Sequence, residues 1–170
     1  MFFDRDGTLM HDVAYCSDPA KVSAFEGAAE TLGRFRAAGY KIVVITNQSG
    51  IGRGYFTERE YRAVEHELAR QLEPQLIDAT YFCPDAPDAA SDRRKPGVAM
   101  VFEAARDHNL DLERSFFVGD KSIDAECGRS AGVRTILVQT GCERHGNSAA
   151  ADWIAEDLRE AADIILHHAS

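Results

Sequence analysis

The stretch Gly39-Tyr40-Lys41-Ile42-Val43-Val44-Ile45-Thr46-Asn47 decides the fold. Residues 40–46 are rich in β-branched side chains and are bounded by Gly39 and Asn47, so they read as a buried strand. Upstream, residues 27–38 carry Ala28, Leu32 and Phe35 at helical spacing, and Gly39 stops that helix. Downstream, Asn47-Gln48-Ser49-Gly50-Ile51-Gly52-Arg53-Gly54 reads as a glycine-rich loop. Thr57 and Glu60 then make a capping-box pattern, opening a helix whose apolar stripe is Tyr61, Val64, Leu68 and Leu72.

The alternation continues to the end of the chain. Residues 76–83 read as a strand, 84–96 as a long loop of Asp, Ala and Pro, and 98–108 as a helix. A strand over 116–120, a helix over 122–131 stopped by Gly132, a strand over 135–138 and an amphipathic helix over 157–168 follow. Residues 141–151 read as a surface loop. Strands alternating with helices predict one α/β domain over residues 1–170, a doubly wound, Rossmann-like parallel sheet with helices on both faces. The weak point is Met1-Phe2-Phe3, since three residues make a short central strand; a few further apolar residues upstream are expected.

Composition narrows the function classes. At 170 residues, 45% hydrophobic and 28% charged, the chain suits a globular core, and no apolar run nears the ~20 residues of a membrane span. Four scattered cysteines form no C-x-x-C pair, which favours a reducing, cytoplasmic setting. A net charge of -9 argues against nucleic acid or anionic membrane as partner, while leaving room for a small anionic substrate. A monomer is expected.

Ligands of such sheets bind off the carboxyl ends of the strands, and the unusual polar residues stand there. Asp4 and Asp6 follow Phe2-Phe3, spaced to face one side while Arg5 points away, and Gly7 permits a sharp turn. Two adjacent carboxylates need a cation or a shared proton. Asp120 ends a later strand with Asp124 close behind, and convergent carboxyl oxygens suit Mg²⁺. Thr46, Asn47 and Ser49 supply hydrogen-bond donors, and Arg94 and Lys95 supply positive charge. Acids with a metal on one side and donors with a lysine on the other form a layout for phosphoryl transfer.

Asp4-Arg5-Asp6-Gly7-Thr8, Thr46-Asn47-Gln48-Ser49-Gly50, Arg94-Lys95-Pro96 and Gly119-Asp120-Lys121-Ser122-Ile123-Asp124 resemble, in order, the four motifs of haloacid dehalogenase-like (HAD) phosphatases. The similarity is strongest to the group that contains heptose-bisphosphate and histidinol phosphatases, and it covers nearly the whole chain. It implies a Mg²⁺-dependent phosphomonoesterase acting on a small phosphorylated metabolite, foremost D-glycero-D-manno-heptose 1,7-bisphosphate. Asp4 is then the nucleophile that becomes an aspartyl-phosphate, Asp6 the general acid-base, and Thr46 and Lys95 the holders of the phosphoryl oxygens. Metal contacts fall to the Asp4 carboxylate, the Asp6 main-chain carbonyl and Asp120; substrate contacts fall to Asp12, Tyr15, Asn47, Gln48, Ser49 and Arg94. Neither interval where this superfamily inserts a cap holds an extra domain, so a capless enzyme with an open site is implied.

The chain departs from its relatives at a zinc loop, Cys-x-His followed by Cys-x-Cys-Arg-Lys-Pro. Here Cys83-Pro84-Asp85 and Ser91-Asp92-Arg93-Arg94-Lys95-Pro96 keep one of four ligands, so no structural zinc is expected. Cys83 is expected as a small buried hydrophobe and Arg93 as a surface residue. Histidinol phosphate and a nucleic-acid 3′-phosphate remain as alternative substrates. A phospho-receiver domain remains as the non-enzymatic alternative, with Asp6 as the discriminating residue.

Overall fold

Side-chain alternation along short buried strands organises the molecule. The computed structural model describes residues 1–142 and 151–168. Its strands are β1 (Phe2–Phe3), β2 (Val43–Asn47), β3 (Ala79–Cys83), β4 (Phe116–Gly119), β5 (Arg134–Val138) and β6 (Trp153–Ala155). They form a parallel sheet in the order β3-β2-β1-β4-β5-β6. Its helices are α1 (Ala28–Ala37), α2 (Ser49–Gly52), α3 (Glu58–Gln71), α4 (Ala99–His108), α5 (Ser122–Ser130) and α6 (Leu158–His168).

Because successive strand residues face opposite ways, the sheet has two cores. Phe3, Val44, Phe116, Val118, Ile136 and Val138 face one layer with Leu32 and Phe35 of α1, Val64 and Leu68 of α3, and Ala161 and Ile165 of α6. Phe2, Val43, Ile45 and Phe117 face the other, with Met100, Val101 and Ala104 of α4 and Cys127 of α5. Each such side chain taken from water contributes about 1.5–3 kcal/mol. The doubly wound expectation therefore holds.

Element by element the agreement is close, with physical reasons for the differences. The capping box of α3 is formed: Thr57 Oγ1 accepts from the Glu60 N–H at 3.3 Å, and the Glu60 carboxylate accepts from the Thr57 N–H at 2.7 Å. The strand expected over 40–46 starts later, at Val43, because Ile42 is held by Asp78. Its N–H donates to the Asp78 carboxylate at 2.7 Å and its carbonyl accepts the Asp78 N–H at 2.8 Å. Three elements went unread: a 3₁₀ turn at Pro19–Lys21, α2 inside the glycine-rich loop and β6 at Trp153–Ala155. Of the surface loop expected over 141–151, residues 143–150 lie outside the described residues.

β1 is brief but central. Beyond its two residues, the Val43 N–H donates to the Met1 carbonyl and the Asp4 N–H to the Val118 carbonyl, both at 2.9 Å. Strand order reverses between β1 and β4, the switch point where ligands of doubly wound sheets lie. Asp4, Asp6 and Asp120 leave the sheet there. No helix among the described residues is long and apolar enough to cross a membrane.

Candidate active site

Three buried carboxylates meet at the switch point. One oxygen each of Asp4, Asp120 and Asp124 lies within 4.8 Å of the others, and these residues are 5%, 0% and 1% exposed. Among the described residues this is the one cluster of acid, histidine or cysteine side chains able to hold a metal. Asp124 comes from the first turn of α5, where it also accepts the Lys121 N–H at 3.1 Å. The main chain crowds Asp120 from two sides: a Cβ at Gly7 would stand 2.4 Å, and one at Gly141 1.9 Å, from its Oδ2. Gly7 also holds φ +87°, a conformation glycine reaches without strain.

Lys95, only 3% exposed, answers part of this charge. Its Nζ lies 2.5 Å from Asp4 Oδ1, 2.6 Å from Asp124 Oδ1 and 2.8 Å from the Ile45 carbonyl, so all three donors are engaged. Burial works to raise the Asp4 carboxyl, but Lys95, helped by Lys121 and the Arg5 N–H, holds it below the ordinary carboxylate range. Lys121 Nζ lies 3.8 Å from Asp120 Oδ2. Burial and then the Asp4 charge push Asp120 up to about 8. Burial raises Asp124 to about 6, against the pull of Lys95. The donors of the cluster are all carboxylate oxygens. That donor set fits a hard divalent cation.

Asp6 stands apart from this cluster. The expectation that Arg5 points away needs correction. The residue does cross to the α3 side, with its guanidinium 5.4 Å from the Tyr61 ring centroid, but Nε and an Nη return to the Asp6 carboxylate at 3.0 Å each. Arg5 is itself 2% exposed, and a charge that buried needs a partner. Gln48 Nε2 bridges Asp6 Oδ2 at 3.0 Å and Thr46 Oγ1 at 2.9 Å. Gln48 therefore couples the end of β2 to Asp6 in the turn beyond β1.

The remaining sequence candidates separate into two sets. Asn47 turns its whole amide to the Lys95 main chain: Nδ2 donates to the carbonyl at 3.1 Å, and Oδ1 accepts the N–H at 3.0 Å. Arg94 stays with its own loop, its guanidinium donating to the Asp85 carbonyl at 3.4 Å and its N–H to Ser91 Oγ at 3.3 Å. Asp12, Tyr15, Gln48 and Ser49 line an open cleft of about 130 Å³ together with Arg5, Asp6 and Lys121, and Asn47 reaches its wall as well. Lys121 Nζ spans that cleft to Asp12 Oδ2 at 3.4 Å. Sequence reading assigned Lys121 no role, although its place beside Asp120 was visible, and it weighed Asp124 as a metal ligand without its pairing to Lys95.

The loop of residues 84–96 is ordered by hydrogen bonds. Cys83, fully buried as expected, has Sγ 3.4 Å from Asp85 Oδ2 and 3.8 Å from Ser91 Oγ. Arg93 keeps a third of its side chain exposed, as a surface residue does, but is fastened: it donates to the Phe82 carbonyl at 3.2 Å and pairs with Glu103 of α4. These contacts anchor both sides of the segment that carries Lys95.

Known proteins resemble the chain in sequence and in architecture. The HAD-hydrolase-like family model matches residues 92–161. The chain is 38% identical to D-glycero-D-manno-heptose-1,7-bisphosphate 7-phosphatase of Chlorobaculum tepidum, over 95% of this chain and 90% of that protein. It is 36% identical to D-glycero-beta-D-manno-heptose-1,7-bisphosphate 7-phosphatase of Helicobacter pylori, over 97% of this chain and 95% of that protein. The crystal structure of D,D-heptose 1,7-bisphosphate phosphatase from B. bronchiseptica, complexed with magnesium and phosphate, superposes with a TM-score of 0.89 at 31% identity, covering 99% of this chain and 98% of that one. The acids at the switch point and the lysine buried between them thus sit in a chain that belongs to the D-glycero-D-manno-heptose-1,7-bisphosphate 7-phosphatase family of HAD-like hydrolases.

Proposed function

We propose that the protein removes the 7-phosphate of D-glycero-D-manno-heptose 1,7-bisphosphate in a Mg²⁺-dependent reaction. The observation that carries this reading is the Asp4 carboxylate, held ionised against Lys95 within a cluster of buried acids at the switch point. Relatives bearing that activity in their names align along nearly all of the chain.

Asp4 attacks phosphorus, forming an O–P bond as the sugar–oxygen bond to phosphorus breaks, and Asp6 delivers a proton to the departing oxygen. A water then attacks the aspartyl-phosphate, Asp6 takes its proton, and inorganic phosphate leaves with Asp4 restored. Arg5 and Gln48 orient Asp6 for both transfers. Lys95 and Thr46 receive the phosphoryl oxygens, for which Lys95 exchanges one of its present contacts. Asn47 sets the height of Lys95 through its main chain, a positioning role. Asp4, Asp120 and the Asp6 carbonyl would hold Mg²⁺, which when bound screens the repulsion between an anionic nucleophile and an anionic substrate.

Phosphate release by purified protein with Mg²⁺ tests the reading, comparing the heptose bisphosphate, histidinol phosphate and a 3′-phosphorylated oligonucleotide. The heptose bisphosphate should give the highest kcat/KM, and Asp4→Asn should abolish turnover of it. A higher kcat/KM for either competitor overturns the substrate, and an active Asp4→Asn protein overturns the mechanism.

A further inference from the structure

A second cavity, of about 340 Å³, lies on the α3 side of the sheet, between that helix and strands β2 and β3. Apolar residues make up most of its walls: Val44, Leu68, Ala69, Pro74, Ile77 and Ala79. Val44 and Leu68 are 2% exposed and form the floor with Arg5, which is 2% exposed as well. At the rim Arg62, 48% exposed, pairs with Glu65 at 2.9 Å. The volume lies within the roughly 300–1,000 Å³ of small-molecule sites, which are mostly apolar with a few placed polar groups.

Arg5 is the wall between this cavity and the cleft that carries Asp6, since it lines both. One edge of its guanidinium is taken by Asp6: Nε donates to Oδ2 and Nη2 to Oδ1, each at 3.0 Å. The fork is planar and rigid, so Nη1 points away from that carboxylate. Asp6 does not line the α3-side cavity, and Nη1 is buried without a hydrogen-bond partner among the described residues. A buried N–H rarely goes unpaired, and this one faces a chamber that a ligand can enter. Its surroundings select the acceptor. Beside Glu65, and with Asp6 already on the same guanidinium, a dianionic phosphate meets too much negative charge. A carboxylate brings one charge and matches the planar fork. The apolar walls favour a hydrocarbon body behind it.

We propose that the α3-side cavity is a regulatory site for a small monocarboxylate with an apolar tail, its carboxylate on Arg5 Nη1 and its tail against Val44, Leu68 and Ile77. Occupancy divides the guanidinium between two acids. Arg5 then holds Asp6 less firmly, and the proton transfers that depend on the placing of Asp6 slow, while the cleft itself stays open to substrate. The regulatory half rests on the phosphatase reading above; the binding half does not.

Hexanoate serves as the probe and 1-hexanol as its uncharged match. In calorimetry hexanoate should bind about tenfold more tightly than the alcohol, the scale of one charge-assisted hydrogen bond. Ala69 is half-buried on α3 and lines the cavity. Ala69→Phe should fill the chamber and abolish hexanoate binding, and the milder Ala69→Leu should weaken it. Without the probe, both variants should keep turnover of the heptose bisphosphate within about twofold of the parent. With Mg²⁺ and that substrate, saturating hexanoate should lower kcat about tenfold, part of the roughly 10²–10⁴-fold that a placed acid-base supplies, and leave KM within about twofold. In Ala69→Phe the inhibition should vanish. Equal affinity for acid and alcohol, hexanoate binding that neither variant weakens, or a rise in KM at unchanged kcat overturns the site. Hexanoate bound in the cavity with kcat and KM both unchanged overturns the link to Asp6. A protein that binds hexanoate as described but releases phosphate from no ester overturns the phosphatase reading alone.

Discussion

A single buried ammonium group holds two of the three switch-point acids. Lys95 lies between Asp4 and Asp124 at 2.5 and 2.6 Å, and removing one partner of a buried ion pair leaves the other charge uncompensated. Lys95→Met should therefore destabilise the protein by about 3–5 kcal/mol in urea titration, besides lowering turnover. Asp120 makes a second prediction, on pH. Its folded pKa of about 8 lies above the ordinary 3.8, so its contribution to stability is full below the lower value and is lost as pH rises through the upper one. With a chelator present, the thermal midpoint should fall between about pH 6 and about pH 8.5, and added Mg²⁺ should recover more at the higher pH. A metal response that is flat with pH would argue against an all-carboxylate site. Asp4, Asp6 and Asp120 were legible in the chain as acids that follow strands, and Lys95 as a cation in the loop before α4. Their pairings were not, because Asp124 in a first turn of helix looks like any dipole-compensating acid until Lys95 is seen 2.6 Å away.

The elements that position these residues are short and fixed at their ends. Asn47 closes β2 and clamps both main-chain polar groups of Lys95, 48 residues further along the chain. Asn47→Ala should lower kcat/KM about 10²-fold, the scale of a misplacement near 1 Å, with a smaller effect on the thermal midpoint; a loss confined to stability would reduce Asn47 to packing. The long strands and amphipathic helices announced themselves by their period, and α3 by its capping box as well. α2 did not, since a four-residue turn of Ser, Gly, Ile and Gly has loop composition. β6 did not either: its three residues are recruited by pairing to β5 and by Asp152, whose carboxylate accepts the Thr135 N–H at 2.7 Å. Long-range contacts of that kind leave no local pattern. The loop of 84–96 shows the reverse case, where missing zinc ligands were plain in sequence but the Arg93 contacts to Phe82 and Glu103 that now fasten the segment were not.

Across the whole molecule, one sheet separates two cores and brings its loop chemistry to one edge. Phe117 packs in the α4–α5 core beneath the site, its ring centroid 6.2 Å from that of Phe2 and 5.6 Å from Lys95 Nζ. Phe117→Ala should cost about 3–5 kcal/mol by urea titration, and activity per folded molecule should fall with it, because the cavity opens under Lys95. The brevity of β1 carries a further consequence. Met1, Phe2 and Phe3 are all large and apolar, so a pairing slip of one residue would still offer a hydrophobic side chain to each core. Hydrophobicity alone cannot choose the register of this central strand. The choice falls to the charges that follow: in register, Asp4 meets Lys95 and Arg5 lies over Tyr61, whereas one residue out, a guanidinium would be buried against an ammonium group. The ion pair that prepares the nucleophile thus also proofreads the alignment of the strand that delivers it, and a mispaired chain is excluded by the same contact that would have made it active.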